Sequence, residues 1–569
     1  MPTVPHEWAS RLTNAVLKCH TVAVRRTLPK KRLGRWPPLL QLVTVAASFV
    51  TLTAFAVCTF YIPFTGDQAL FAIAAEELQS GYVLYRDFWD IKQPGIFWWY
   101  ALARSLPGGD LVGVRLLELM WQTATAILLI RVMRNAVTRP WIAYLTPVLA
   151  LGPYFVTGGL SGWGLALIEP MIGMPILLML VNARKAFTSD QPNLALLVVG
   201  IAMGLVILFK ALYILVALPV LIVTALVIRA ADKERPTEGG AWRGFHSAMI
   251  VSLGASVLIG AAVVYAAVTN SLGLLLETTF VQPLRVRQLP EFTSQDVNLL
   301  HLAETGLTSY GWSVILAGIG FAARRTQPWL VIPVLTWAAT ACATMLVQAP
   351  NAYQVYALLV PVGILAGVGL NAACDVAATC GKPGKLAVAG SLVVSCIAAW
   401  PMSRTGLDTL AVIRDHAPAL SASDRLEVGR AINSEFRQVS TAAETLPRSL
   451  TSSRAPIYVF GSPLWYRELD SRQAVEVQGW TVQYNTEAVW AELERELRRT
   501  RPRAVFVDEF SASFIEERRP GILGLLERSY EPVWQLPAKG DWDAGAGTWW
   551  VTSAPGQPAP TPEGNQLRE

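Results

Sequence analysis

The chain reads as a polytopic α-helical membrane protein of about eleven transmembrane helices with a C-terminal extracytoplasmic α/β domain. Three observations predict this. Hydrophobic residues make up 53% of the 569 and charged residues only 15%, with a mean hydropathy of +0.39. A soluble chain of this length needs far more surface charge. Apolar runs recur at about 17–25 residues, the length that crosses a hydrocarbon core. After Trp400 the composition turns rich in Arg, Glu, Asp and Ser, and short strands alternate with helices.

The regions follow in order. Residues 1–37 are a basic N-terminus: Arg11, Lys18, Arg25, Arg26, Lys30, Lys31, Arg32 and Arg35 are opposed only by Glu7. That flank places the N-terminus in the cytoplasm. The first apolar run, 38–62, is too long for a signal peptide, and no small-residue cleavage site follows it. Further spans are expected at 111–130, 141–157, 164–182, 193–209, 212–229, 247–268, 309–323, 328–347, 355–373 and 385–401. Alternate loops are basic, as a cytoplasmic side requires: Arg131, Arg134 and Arg139; Arg184 and Lys185; Arg229, Lys233, Arg235 and Arg243; Arg324 and Arg325; Lys382 and Lys385. The membrane domain thus covers 38–401, with a first outer loop at 61–110. An odd number of spans puts 402–553 on the far side of a multi-pass cell (inner) membrane.

In that C-terminal region Ile457–Gly461 and Ala504–Asp508 read as buried strands, with weaker candidates at 532–536 and 548–552. Residues 488–499 have helical spacing. Its glycines form no phosphate cradle, so no nucleotide site is expected. Residues 554–569 are rich in Pro and Gly, a composition expected to be disordered. The six cysteines all lie outside 402–553, and no Cys or His pattern suggests a metal. No cofactor, divalent metal or nucleic-acid partner is expected.

The most informative stretch is 61–100, YIPFTGDQALFAIAAEELQSGYVLYRDFWDIKQPGIFWWY. It lies between two spans, yet is dense in acids, bases and Trp. Charge at a membrane surface is costly and therefore functional by default. Asp67 follows the first span directly. It is a candidate general base at the edge of low-dielectric material, or the N-cap of the helix after it. Glu76 and Glu77 are expected on that helix's solvated face. Arg86, Asp87 and Asp90 suit either substrate contact or a local ion network. Lys92 precedes an aromatic helix suited to the headgroup zone, and faces either lipid or substrate phosphate. Arg115 and Glu118 are spaced for an intrahelical pair.

The run from Gly66 to Leu102 resembles the first outer loop of GT-C type membrane glycosyltransferases. It is most similar to the bacterial branch related to protein O-mannosyltransferases and the lipid A aminoarabinose transferase. Those proteins carry an acid after the first span, then Y-R-D-x-W-D-x-K-P-P and an aromatic helix. Asp67 matches the first feature; Tyr85, Arg86, Asp87, Trp89, Asp90, Lys92 and Pro94 match the second. Weaker resemblances are the loop ending Glu169-Pro170, the Lys210 turn between two spans, the late segment containing Tyr356, and 457–472. Two positions depart from the pattern. Gln68 stands where many mannosyltransferases have Glu, and Val355 where His commonly precedes the Tyr.

The resemblance implies a GT-C-like membrane domain whose first loop is catalytic. Such a domain moves a monosaccharide from a polyprenyl-phosphate-linked sugar to a glycan, lipid or protein acceptor. Phosphate is a fair leaving group, so one base suffices, where typical glycosidases use two carboxyls. Asp67 is the candidate base, in one inverting displacement. Leaving-group charge requires cations, for which Lys92, Lys210, Arg285 and Arg287 are the candidates; Arg285 and Arg287 also suit lipid headgroups or nearby acids such as Glu291. Arg86, Asp87, Asp90, Glu169 and Tyr356 are candidates for acceptor binding or loop organisation. The main rival is a transporter of a lipid-linked or small polar substrate, but transporters place ionisable groups and broken helices near the midplane, often in two related halves, whereas this chain concentrates charge in outer loops and shows no repeat. A third reading is a scaffold whose outer domain binds a partner.

Overall fold

A computed structural model describes residues 38–158, 164–189, 191–231, 240–289, 306, 310, 312–322, 327–348, 351–379, 404, 408, 411–415, 422–451, 455–538 and 543–552. The membrane body is built of α1 (Pro38–Cys58), α2 (Gly66–Gln79), α3 (Pro94–Arg104), α4 (Gly109–Arg134), α5 (Pro140–Pro153), α6 (Ile168–Thr188), α7 (Asn193–Phe209), α8 (Ile214–Ala231), α9 (Gly240–Val268), α10 (Trp312–Ala322), α11 (Pro328–Val347) and α12 (Leu359–Thr379). Ten of the eleven expected spans coincide with one of these helices; the eleventh, 385–401, lies outside the described residues, as do 1–37 and 554–569. Among the described residues five helices are long and apolar enough to cross a membrane by themselves, or six if the bent pair Val45–Tyr61 and Gly66–Gln79 is one span. α5, α7 and α10 are apolar but shorter. The helices turn apolar side chains outward: Leu39 and Val50 on α1, Leu226 on α8, Leu253 and Val264 on α9 are all exposed. Water would penalise that surface, whereas lipid accepts it. Pro175, Pro219 and Pro333 sit inside helices, which membrane spans tolerate.

Arg131, Arg134, Arg184, Lys185 and Arg229, from alternate loops, collect at one end of the body. α4 begins beside the first loop and ends on Arg131 and Arg134. Arg131, Arg184 and Lys185 line one cavity, and Arg229 lies over the Phe187 ring. The first loop occupies the opposite end.

The C-terminal domain adds α13 (Ala422–Ile432), α14 (Ser434–Glu444), β1 (Tyr458–Phe460), α15 (Glu487–Thr500), β2 (Ala504–Asp508), β3 (Tyr530–Leu536) and β4 (Gly547–Thr552). The sheet order is β1-β2-β4-β3; β1 and β2 are parallel, joined across α15, and the other pairs are antiparallel. β1 and β2 are apolar on both faces because both faces are covered. Tyr458, Phe460, Val505 and Val507 pack with Trp490 and Leu493 of α15. The alternate residues Val459, Phe506 and Trp549 join Trp465 in the core shared with the first loop and membrane helices. Strand periodicity thus docks the domain on the membrane body.

Candidate active site

Asp67 stands in the first turn of α2, where a carboxylate also favours the helix dipole. Thr65, with an extended backbone, is the N-cap residue. The Asp67 carboxylate is directed elsewhere. Its Oδ1 accepts from the Trp480 indole N–H at 3.1 Å and lies 3.5 Å from Lys92 Nζ. Lys92 Nζ is equally 3.5 Å from Asp90 Oδ1 and stands over the Phe71 ring at 5.2 Å. Burial alone would lower the Lys92 pKa, but the Asp67 and Asp90 carboxylates outweigh it and push it up. Asp90 is fully buried; burial, with Asp67 adding to it, raises its pKa against the pull of Lys92.

The loop conformation follows from its residues. Asp90 Oδ1 accepts the Lys92 backbone N–H at 2.9 Å, an Asx turn. Tyr85, at φ +70°, donates its hydroxyl to the Lys92 carbonyl at 2.8 Å. Arg86 forks onto Asp87 at 2.9 and 2.8 Å, and Asp87 Oδ2 takes the Val83 N–H at 2.7 Å. Arg86 and Asp87 therefore organise the loop. Pro94 opens α3 at a position where its missing N–H costs nothing.

The turn bearing Asp67 is held from two sides. From the membrane body, Arg115 donates to the Ile62 carbonyl at 3.2 Å and to Gln68 Oε1 at 3.1 Å. Arg115 pairs with Glu118 as expected, and the pair is buried. Gln68 thus faces Arg115. From the C-terminal domain, Glu435 Oε1 accepts the Gly66 N–H at 3.2 Å and the Ser462 hydroxyl at 2.6 Å. Glu435 is fully buried, and burial pushes its pKa up to about 7. Arg467 reaches Asp110 at 3.1 Å, and the Trp89 N–H donates to the Glu476 carbonyl at 2.9 Å.

A second ion pair joins two residues distant in sequence. Lys210, extended at the break after α7, places Nζ 2.8 Å from Glu169 Oε1 in the first turn of α6. Gly95 of α3 packs against the backbone of Leu208 and Phe209, so the loops of Lys92 and Lys210 meet. Tyr353 has both Asp67 and Glu169 as electrostatic neighbours. Tyr356 instead sets its ring edge-on to Tyr154 at 5.6 Å and against Gly164.

Arg285 bonds Glu277 at 2.9 Å, and Arg287 is exposed. Among the described residues neither contacts Asp67, Lys92 or Glu169; Glu291 lies outside them. Glu76 pairs with Arg104 at 3.4 Å on the surface, but Glu77 is buried, correcting the expectation of a solvated face. Glu77 turns inward, where Arg472 partly offsets its burial. Trp480, Glu435 and Tyr353 were not singled out from the sequence. Tyr353 lies in a tyrosine-rich segment that was, and a 3-10 turn of three residues per repeat puts it in line with Tyr356.

The chain is thus a helical membrane body with a charged loop at one end, capped by a small α/β domain. Residues 85–268, about a third of the chain, match the family model described as dolichyl-phosphate-mannose-protein mannosyltransferase. Two crystal structures of ArnT from Cupriavidus metallidurans share the fold. One, bound to undecaprenyl phosphate, has 16% identity and a TM-score of 0.57, over 90% of this chain and 98% of that one. The other, in the apo state, has 14% identity and a TM-score of 0.53, over 90% and 97%. No curated protein sequence matches the chain. The resemblance read from the first loop agrees with both matches: residues 85–268 fit the mannosyltransferase family model, and the chain shares the fold of the ArnT structures.

Proposed function

We propose that the chain transfers a monosaccharide from a polyprenyl-phosphate carrier to a hydroxyl of a lipid, envelope glycan or protein acceptor. The observation that carries this reading is Lys92 set between Asp67 and Asp90 at a membrane edge, with the Lys210–Glu169 pair beside it. Such a cluster offers one base and two cations within a single surface. The acceptor oxygen attacks the anomeric carbon opposite the phosphate while its proton moves to Asp67. The carbon–phosphate-oxygen bond breaks, leaving its electron pair on phosphate, and the configuration inverts. Lys92 and Lys210 stabilise the charge that develops there. Asp90 and Glu169 hold the two lysines aimed until substrate arrives, and Arg86 and Asp87 keep the loop closed around them.

Undecaprenyl phosphate, the lipid named with the ArnT structure, is the carrier class this reading takes as product. The reading puts the first loop and C-terminal domain on the extracytoplasmic side of the inner membrane, opposite the basic loops. Mass analysis of envelope glycolipids and glycans, with and without the protein, tests it. A single-sugar increment should vanish without the protein and in Asp67→Asn, with normal accumulation of that variant in the membrane. A normal product from Asp67→Asn would refute the base.

A further inference from the structure

The two oxygens of Asp67 have different surroundings. Oδ1 faces two donors, the Trp480 indole and Lys92. Oδ2 has no hydrogen-bond partner among the described residues, and the side chain keeps 18% of its exposure. The carboxylate is thus divided into a held oxygen and an open one. Lys92, one of the two holders, belongs to the same loop. Trp480 comes from the C-terminal domain, 413 residues away in sequence.

Trp480 is itself fixed. Its backbone N–H donates to Gln478 Oε1, and Gly479 before it accepts the Gly461 N–H at 3.1 Å, next to strand β1. Its ring lies on Gly66: a Cβ there would stand 3.0 Å from Trp480 Cζ2. Gly66 also adopts φ +36°, which a side chain would strain. The bare glycine therefore serves both the turn and the ring contact. Glu435, on the neighbouring helix α14, holds the N–H of that same glycine.

Resting on the reading of Asp67 as the base, we infer that Trp480 is a positioning residue for the transfer. Its indole N–H anchors Asp67 Oδ1 so that Oδ2 is presented to the acceptor hydroxyl. The chemistry of indole suits that task. It is a donor only, so it cannot accept the proton that Asp67 takes up. It is neutral, so it orients the base without placing a second cation on it. Orientation of a general base within hydrogen-bond reach is itself a large part of the rate. The C-terminal domain is then a part of the active centre, and its docking completes the catalytic geometry.

The test compares wild type, Trp480→Phe and Asp67→Asn, each as the full chain. Phe keeps the ring on Gly66 and removes only the N–H. Two quantities are read: the rate at which the single-sugar increment appears in membrane vesicles, and the affinity of the purified protein in nanodiscs for undecaprenyl phosphate. Trp480→Phe should slow transfer about 10- to 100-fold, the range for a lost hydrogen bond to a charged group. Its undecaprenyl phosphate affinity should stay unchanged. Wild-type transfer by Trp480→Phe, with transfer lost in Asp67→Asn, overturns the inference and leaves the base assignment standing. A fall in both rate and affinity overturns it in favour of a purely structural Trp480. Normal transfer by Asp67→Asn overturns the base and the inference together.

Discussion

At the residue scale, Lys92, Asp90 and Glu435 have their ionisation shifted by burial and by neighbouring charges. Glu435 shows this most directly, because it is fully buried and its pKa rises from an ordinary 4.5 to about 7. Its neighbours are the Ser462 hydroxyl, the Gly66 N–H and, at longer range, Asp67. The folded protein therefore binds a proton that the unfolded chain has released between about pH 4.5 and 7. Stability from this group is fully present below the lower value and is lost as pH rises through the upper one. A shift of this size corresponds to about 3 kcal/mol at most. Glu435→Gln removes the titration but keeps the acceptor for Gly66. Its unfolding temperature in detergent should rise relative to wild type as pH goes from 4.5 to 7, then run parallel. A gap that does not change with pH would show that Glu435 ionises freely in the folded protein.

At the element scale, what the sequence made legible was local. Strand β2 falls on the residues read from the apolar run 504–508, and α15 runs one residue beyond the expected 488–499 at each end. The break at Lys210 is likewise where the turn between two spans was read. α6 begins at Ile168, later than expected, because Leu165–Leu167 form a buried turn with Ala166 at φ +50°. Hydrophobicity alone reads those residues as helix. The meeting of α3 with α7 was not legible, since it depends on one glycine. A Cβ on Gly95 would lie 2.5 Å from the Leu208 carbonyl oxygen and 3.0 Å from the Phe209 nitrogen. Gly95→Ala should therefore part α3 from α7, draw the Lys92 loop away from Lys210, and cost about 1–3 kcal/mol as overpacking does. Transfer should fall at least tenfold, as misplacement of about 1 Å can cause. Gly260→Ala in α9, where added volume meets nothing, is the control and should transfer normally. Equal activity in the two variants would mean that the two lysines do not act together.

At the scale of the whole molecule, the sequence revealed the membrane body, the α/β domain and the loop that carries most of the candidate site. It could not reveal how the two parts meet. Neither Glu435 nor Trp480 stands out in its segment: an acid on an amphipathic helix ordinarily faces water, and a lone Gly-Trp pair in a loop carries no signal. Only the two-faced burial of β1 and β2 hinted that the domain is covered on both sides. That docking now constrains topology. The C-terminal domain touches Gly66 and Asp67, so both must lie on one side of the membrane. Arg131, Arg184 and Lys185 gather at the opposite end. On the proposed reading, the positive-inside rule puts that basic end in the cytoplasm. Single cysteines placed in a cysteine-free background at Ser513 and Asn135, both exposed, report the two ends separately. In intact cells a membrane-impermeant maleimide should label Ser513→Cys, and should reach Asn135→Cys only after permeabilisation. The reverse pattern would put Asp67 on the cytoplasmic side, where a lipid-linked sugar would have to be met before it crosses the membrane, and the extracytoplasmic reaction would fall with it.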